Sequence, residues 1–520
     1  MNEAVVYIIP SPAAEFFKVV HEGFKNRLQA IQADVTTYWD TFDWRVQRAG
    51  AALHSSQDSQ IATLTWMGKN GHLNCRVVSN QAPAFAWEFP SGTLRDVISP
   101  VIKMRRLLPV VHTERKGLLL HVLGAEEKTV VRMRLLDWSV KVPGSSRVID
   151  SPSTLEVLPI KGFDKASQRL VIFAEEKLGL VRELSSNYQR AVQGANIVPG
   201  DYSSKFQVRL DPAMNMGEAA TAIHRVLLQS VLANEEGTRQ DLDSEFLHDF
   251  RVAVRRTRAA LSHIKGTFPV KTVKHFSGEF SWLGGKTGPN RDLDVYLLKM
   301  EDFKSILPEA IREDLKPLYD FLKARQKEEH SHLVEVLDSG KYRTLLEDWR
   351  QSLEEPLFSP EETSKAEEPV LFASSGRIWK AYRRILKKGR AIDDQSPASA
   401  LHRLRLDCKK LRYLLEFFRS LYEPDKIREL IKSLQALQDN LGNFNDYEIQ
   451  QGTLRQFARN MLEQGQANVE TLMAMGRLVE RFEVGQQKER QRFSKRFAKF
   501  ASPTNEKQFR ALFSPGKVAQ

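Results

Sequence analysis

The stretch HDFRVAVRRTRAAL, from His248 to Leu261, decides how this chain folds, because HRLRLDCKKLRYLL, from His402 to Leu415, repeats its chemistry 154 residues later. At that one offset His248 meets His402, Arg251 meets Arg405, Arg255 meets Lys409, Arg256 meets Lys410 and Arg258 meets Arg412. Further on, Gly288 meets Gly442 and Asp292 meets Asp446 without a gap. A register held over such a distance implies two copies of one helical unit.

At 100° per residue, His248, Arg251, Arg255 and Arg258 fall within about 80° of arc along roughly 15 Å of helix. Leu247, Phe250, Val254 and Leu261 fill the neighbouring arc, as do Leu401, Leu404, Cys408, Leu411 and Leu415 in the second copy, so each helix has an apolar face for a bundle. Cys408 aligns with Val254 and reads as a core thiol. A solvated helix face mixes charge signs, whereas these like charges repel by a few tenths of a kcal/mol per pair. Keeping the arrangement twice implies that an anion supplies the missing charge. Glu416, four residues after Arg412, is expected to close its stripe by an ion pair. The paired histidines suit phosphate: imidazole donates to an oxygen and gains charge below about pH 6.5, so binding should strengthen with acidity. Metal binding is the weaker reading, since no second ligand sits at coordinating distance along either helix.

Working outward, the chain from about Pro212 reads as all-α, with one bundle over 212–350 and another over 370–505. The acidic, proline-containing EEPLFSPEETSKAEEP (Glu354–Pro369) breaks the periodicity and reads as a surface connector. Residues 1–193 favour short strands, at least six, punctuated by Gly, Pro, Asn and Ser. Helices are expected within that region at Pro12–Gln32 and Lys165–Arg190. GANIVPGDYSSKFQVRLD (Gly194–Asp211) looks like a linker.

Composition sets the outer bounds. The 520 residues carry 77 Lys+Arg against 65 Asp+Glu, a net +12 divided as +5 before residue 200 and +7 after it. With 42% hydrophobic and 27% charged residues, wholesale disorder, collagen and a multi-span membrane protein are excluded. Two distant cysteines, Cys75 and Cys408, give neither a disulfide framework nor a zinc site and fit a reducing compartment. No apolar run approaches the roughly 18 residues of a membrane span, and Met1-Asn2-Glu3 opens without a basic region. A cytoplasmic protein without membrane partners is expected.

The two His-x-x-Arg helices, LGGKTGPNRDLDVYL (Leu283–Leu297) and its partner LQDNLGNFNDYEI (Leu437–Ile449) resemble the CHAD family, the conserved-histidine α-helical domain, over about Pro212–Phe500. The resemblance implies two four-helix bundles related by a pseudo-twofold, whose basic helices line a shared groove that binds inorganic polyphosphate. Carried over by position, it implies a site built from His248, Arg251, Arg255, Arg256 and Arg258 with His402, Arg405, Lys409, Lys410 and Arg412. Lys274 and Arg428, an aligned pair on the following helix, would extend it. Arginine forks hold phosphate oxygens bidentately, while lysine acts as a mobile point charge. Asp292, Asp294 and Asp446 would repel such a ligand and are expected to cap a helix or fix an inward arginine. RRILKKGR (Arg383–Arg390) is either a second rim of the groove or a charged helix end.

TTYWDTFDWRVQRAGAAL (Thr36–Leu53) and LLPVVHTERKGLLL (Leu107–Leu120) are similar to strands of the CYTH superfamily. That resemblance implies an eight-stranded antiparallel barrel or tunnel whose acids hold a divalent metal and whose basic residues hold triphosphate. The chain departs from the pattern at the chemistry. The family's Glu-x-Glu-x-Lys falls on Glu3, Val5 and Tyr7, its late Glu-x-Glu falls on Glu156 and Leu158, and its Arg-x-Arg is replaced by His54-Ser55-Ser56. Triphosphate hydrolysis needs several carboxylates on Mg²⁺ or Mn²⁺. Hydrolysis is therefore expected to be lost, with no catalytic residue and no cofactor assigned; Glu3 and Glu156 would hold Mg²⁺ or Mn²⁺ only in a triphosphatase. Arg106, Arg115 and Arg132 could line an anion-binding tunnel.

The leading expectation is a non-catalytic polyphosphate-binding protein on polyphosphate granules, with metal-dependent triphosphatase activity as the alternative. Nucleic-acid binding ranks third. Single-strand binders interleave stacking aromatics with basic residues, whereas here Tyr413 only borders one stripe and Phe250 lies on the apolar side.

Overall fold

The computed structural model describes residues 4–514 apart from 11, 59–60, 69–70, 79–81 and 355–364. It divides into two compact units, Met1–Ser203 and Ser204–Gln520.

The first unit is one antiparallel sheet of eight strands: β1 (Val5–Ile9), β2 (Asn26–Thr41), β3 (Ala52–Asp58), β4 (Ile61–Gly68), β5 (Gly71–Val78), β6 (Leu107–Leu123), β7 (Thr129–Lys141) and β8 (Val148–Pro159). Their order is β1-β8-β7-β6-β2-β3-β4-β5, so β1 and β5 are the two ends. Its helices are α1 (Ala13–Gly23), α2 (Arg45–Arg48), α3 (Thr93–Ile102), α4 (Asp164–Ile172) and α5 (Asn187–Gly194). The helix expected over Pro12–Gln32 stops at Gly23, because β2 begins at Asn26 and pairs with β6 from Asn26↔Val122 to Thr41↔Leu107. That long ladder satisfies backbone groups a helix would otherwise have to satisfy. The helix expected over Lys165–Arg190 is likewise split: α4 ends in a widened turn at Phe173–Lys177, Gly179 takes a φ of +63°, and α5 restarts at Asn187. Tyr7, Leu120, Val131, Met133, Leu135, Leu155 and Val157 form an apolar core on one sheet face with residues of α1 and α4.

The second unit is helical: α6 (Met216–Arg239), α7 (Ser244–His263), α8 (Val270–Lys286), α9 (Gly288–Leu298), α10 (Met300–Ile306), α11 (Lys316–Asp338), α12 (Gly340–Glu354), α13 (Val370–Arg390), α14 (Ala398–Phe418), α15 (Pro424–Glu463), α16 (Val469–Phe500) and α17 (Pro503–Phe513). The duplication read from the sequence is written into these boundaries. Helices α6, α7 and α8 start 154 residues before α13, α14 and α15, and α11 starts 153 before α16. The copies differ at one break. α15 runs unbroken where α8 gives way to α9, and there Pro289 stands in place of Asn443. Proline has no N–H for the helical ladder and crowds the preceding turn.

Both apolar faces are buried as expected. Leu247, Phe250, Val254 and Leu261 share one continuous core with Leu401, Leu404, Cys408, Leu411 and Leu415. The stretch 194–211 departs from the linker reading. Gly194 closes α5, and Phe206, Val208 and Leu210 bury alternate side chains in the helical core, with the Leu210 N–H donating to Ser420 Oγ at 3.0 Å. Their period of two is that of an extended chain with one apolar side. Of the acidic connector Glu354–Pro369, residues 355–364 lie outside the described ones. Its end is fixed by N–H donation from Met216 to Glu368 O and from Gly217 to Ala366 O, both at 2.9 Å.

Candidate functional site

Helices α7 and α14 carry the two stripes, and each buries its apolar arc in the shared core. A cavity of about 460 Å³ is lined by His248, Arg255 and Arg256 from the first copy and by Arg405, Lys409 and Arg412 from the second. Three carboxylates, Asp249, Glu416 and Asp439, also line it. A second cavity of about 790 Å³ is lined by Arg255, Arg258, Lys409 and Lys410 together with His263 and Lys265. Arg255 and Lys409 are aligned with each other and border both cavities, so they mark the centre of one groove.

Crowding of like charge is visible at that centre. Burial, then Arg405, then Arg255 push the Lys409 ammonium down to about 8, against the opposing pull of Asp446. Lys410 is also pushed down, by burial and by Arg384 and Lys265, with Asp407 opposing.

Each histidine is held by the same aligned position, Arg291 on α9 in the first copy and Asn445 on α15 in the second. Arg291 Nη2 lies 3.1 Å from His248 Nδ1, and its Nη1 donates to Ser244 O at 2.8 Å. A guanidinium only donates, so His248 Nδ1 accepts and the ring proton sits on Nε2. In the second copy Asn445, 154 residues after Arg291, places its Oδ1 2.7 Å from His402 Nδ1, which therefore donates.

The remaining stripe residues divide by role. Arg251 turns inward: its Nη1 donates to Gly284 O and Thr287 Oγ1, both at 2.8 Å, closing the end of α8 next to the Pro289 break. Its aligned partner Arg405 lines the smaller cavity and reaches Asp446 at 3.4 Å. Asp292 and Asp446 thus stand beside aligned arginines, and Arg251 draws the Asp292 carboxyl down against its burial, which dominates. Asp294 is buried, accepts from Asn290 at 3.4 Å and Gln326 at 3.3 Å, and is raised to about 6 by that burial. Glu416 does close its stripe. It accepts from Arg412 Nε at 2.7 Å and, across the copies, from Arg256 Nη2 at 3.0 Å.

Lys274 and Arg428 are not brought to this groove. Neither lines a cavity between the stripes; both are exposed, and Arg428 pairs with Asp425 at 2.9 Å. Within RRILKKGR, Arg384 and Lys388 grip Asp407 at 3.2 and 2.5 Å and stand next to Lys410, while Arg390 faces Glu506 at 3.7 Å. The cluster is therefore part rim and part helix end.

In the first unit, β1 pairs antiparallel with β8. Val6 faces Glu156, whereas Val5 faces Val157 and Tyr7 faces Leu155. Directly opposed residues share a face, so Glu156 lies on the opposite face from Val5 and Tyr7. Glu156 is ion-paired with Arg134 and buried, near an Arg190 whose guanidinium sits 4.3 Å over the Trp138 ring. Glu3 lies outside the described residues. Arg115 is ion-paired with Asp34, Arg132 is exposed, and Arg106 lies 5.9 Å over Phe85. Among the described residues no three His, Cys, Asp or Glu side chains gather closely enough to hold a metal ion.

Residues 222–455 match the family model of the CHAD domain. Among solved structures, the chain is similar to the CHAD domain from the plant Ricinus communis, at 24% identity and a TM-score of 0.44, covering 59% of this chain and 96% of that one. It is also similar to PptA from Streptomyces chartreusis, at 16% identity and a TM-score of 0.42, over 54% of this chain and 98% of that one. A putative adenylate cyclase from Bacillus halodurans aligns at 16% identity and a TM-score of 0.25, over 36% of this chain and 94% of that one. No curated protein matches.

Proposed function

We propose that the protein, whose residues 222–455 match the family model of the CHAD domain, binds inorganic polyphosphate in the groove between α7 and α14, and through it associates with polyphosphate granules. The observation that supports this is convergence: His248, Arg255 and Arg256 of one copy and Arg405, Lys409 and Arg412 of the other border one cavity. Like charges that repel at rest gain most from a ligand that is itself a line of charges. Such binding releases counterions, so log K should fall steeply with log salt, by about 0.7 for each phosphate contact on a single chain. Reversing the two central charges, Arg255→Glu with Lys409→Glu, should weaken binding by about 100-fold or more, since each lost charge contact costs at least a tenfold step. Pulldown on long-chain polyphosphate at low salt measures this, and undiminished capture of the double variant would refute the assignment.

One observation favours a second reading, in which single-stranded nucleic acid enters the same groove: Tyr413 lines both cavities and offers a ring for stacking. Competition between long-chain polyphosphate and an oligonucleotide on the intact protein separates the two. Displacement of bound polyphosphate only by excess polyphosphate supports the first reading, and displacement by the oligonucleotide at matched phosphate concentration supports the second.

A further inference from the structure

The groove has two pseudo-equivalent ends, and they are not equally charged. Under the 154-residue offset Arg256 corresponds to Lys410, Arg412 to Arg258, and Glu416 to Ser262. At one end Glu416, only 14% exposed, is gripped by Arg256 at 3.0 Å and Arg412 at 2.7 Å, and Asp249 and Asp439 line the same cavity. At the other end Ser262 offers no carboxylate. The cavity there is lined by Arg255, Arg258, Lys265, Lys409 and Lys410 and by no acid at all. Among the described residues none of those five cations has a carboxylate within ion-pair distance.

We propose that Glu416 is a built-in counter-anion that keeps one end of the groove partly neutralised, and that the acid-free cavity around Arg258, Lys265 and Lys410 is the dominant phosphoryl subsite. This rests on the polyphosphate reading above and adds polarity to it. The chain of phosphates is held hardest at the Lys410 end, and at the Glu416 end it must compete with a carboxylate already in place. Lys265 lies past the end of α7 and is matched by Arg419 at the same offset, but Lys265 lines its cavity whereas Arg419 does not line the cavity at the Glu416 end. His263 supplies an independent sign of uncompensated charge. It borders the same cavity, its buried Nδ1 has no hydrogen-bond partner, and burial together with Lys410 and Lys265 pushes the ring down to about 4. A bound phosphate would accept from these cations and remove two of those three influences.

Reciprocal substitutions in the full-length protein test this, with binding of long-chain polyphosphate measured against salt. Ser262→Glu introduces at the strong end the acid that the weak end already has. Ser262 is exposed on α7, so the fold should survive, which a melting curve checks. About tenfold weaker binding is expected, with the slope of log K on log salt reduced by about one contact. Glu416→Gln keeps the side chain's shape and removes its charge, and should tighten binding several-fold. Unchanged affinity in Ser262→Glu, or weaker binding in folded Glu416→Gln, overturns the polarity while leaving polyphosphate binding in place. Failure of the wild-type protein to bind in a salt-dependent way overturns the underlying reading and this inference with it.

Discussion

Lys409 is the residue whose chemistry is most exposed to measurement, because burial and its arginine neighbours hold it at about 8 in the free protein. An unfolded chain keeps a lysine near 10.4, so between about pH 8 and 10 the unfolded state binds more protons and stability should rise with pH through that window. Ligand binding runs the other way. A polyanion favours the ammonium, so binding above pH 8 takes up a proton and affinity should fall as pH rises from 8 to 9.5. Lys409→Arg should flatten that fall, since a guanidinium stays charged. Polyphosphate titrations at fixed ionic strength test this; a flat profile in the wild type, or an equal decline in the arginine variant, would show that Lys409 is not at the ligand. Residue-scale detail was unevenly legible in the sequence. Charge at i, i+3, i+7 and i+10 announced the stripes, but an arginine matched to an asparagine shares no charge, so nothing marked Arg291 and Asn445 as joint holders of the two histidines. Arg251 and Arg405 look identical in sequence, and only the Pro289 break, which leaves α8 with an end to close, turns Arg251 away from the groove.

At the scale of elements, close helix contacts depend on glycines that no charge pattern reveals. A Cβ on Gly389 of α13 would fall 2.0 Å from the Phe497 ring of α16, and one on Gly237 of α6 would fall 2.2 Å from Phe246 of α7. Alanine gains about 1 kcal/mol of helix propensity over glycine, while overpacking a well-filled core costs about 1–3 kcal/mol. With the ring of Phe497 buried in the core, the steric cost should prevail. Gly389→Ala should therefore be destabilising by about 1–2 kcal/mol, read from urea unfolding of the variant, and a neutral or stabilised variant would mean that Phe497 can step aside freely. Elements were legible where a period was long and uninterrupted, as in α7 and α14. They were misread where a helical period overlapped a strand, as at Asn26–Gln32, because pairing of β2 with the distant β6 settles that segment and sequence alone does not contain the partner.

At the scale of the whole molecule, each apolar core among the described residues draws on one unit. The sheet cores draw only on residues before 204, and the helical cores only on residues from Phe206 onward. Two such bodies need not unfold together, so calorimetry of the full chain should show two transitions and not one cooperative step. A ligand held between α7 and α14 binds the native state of the helical unit alone. At a hundred times its dissociation constant it should stabilise that unit by about 2.7 kcal/mol and leave the other transition where it was. The groove spans both repeats, so the helical transition should also move as a single peak, with no splitting into two bundles. If polyphosphate raised both transitions, the sheet unit would have to hold phosphate as well. Its Arg115 and Arg134, already matched by Asp34 and Glu156, would then have to exchange those partners for the ligand. If it raised only the sheet transition, the duplicated stripes would be a structural device, and the excess charge that they concentrate would need another explanation.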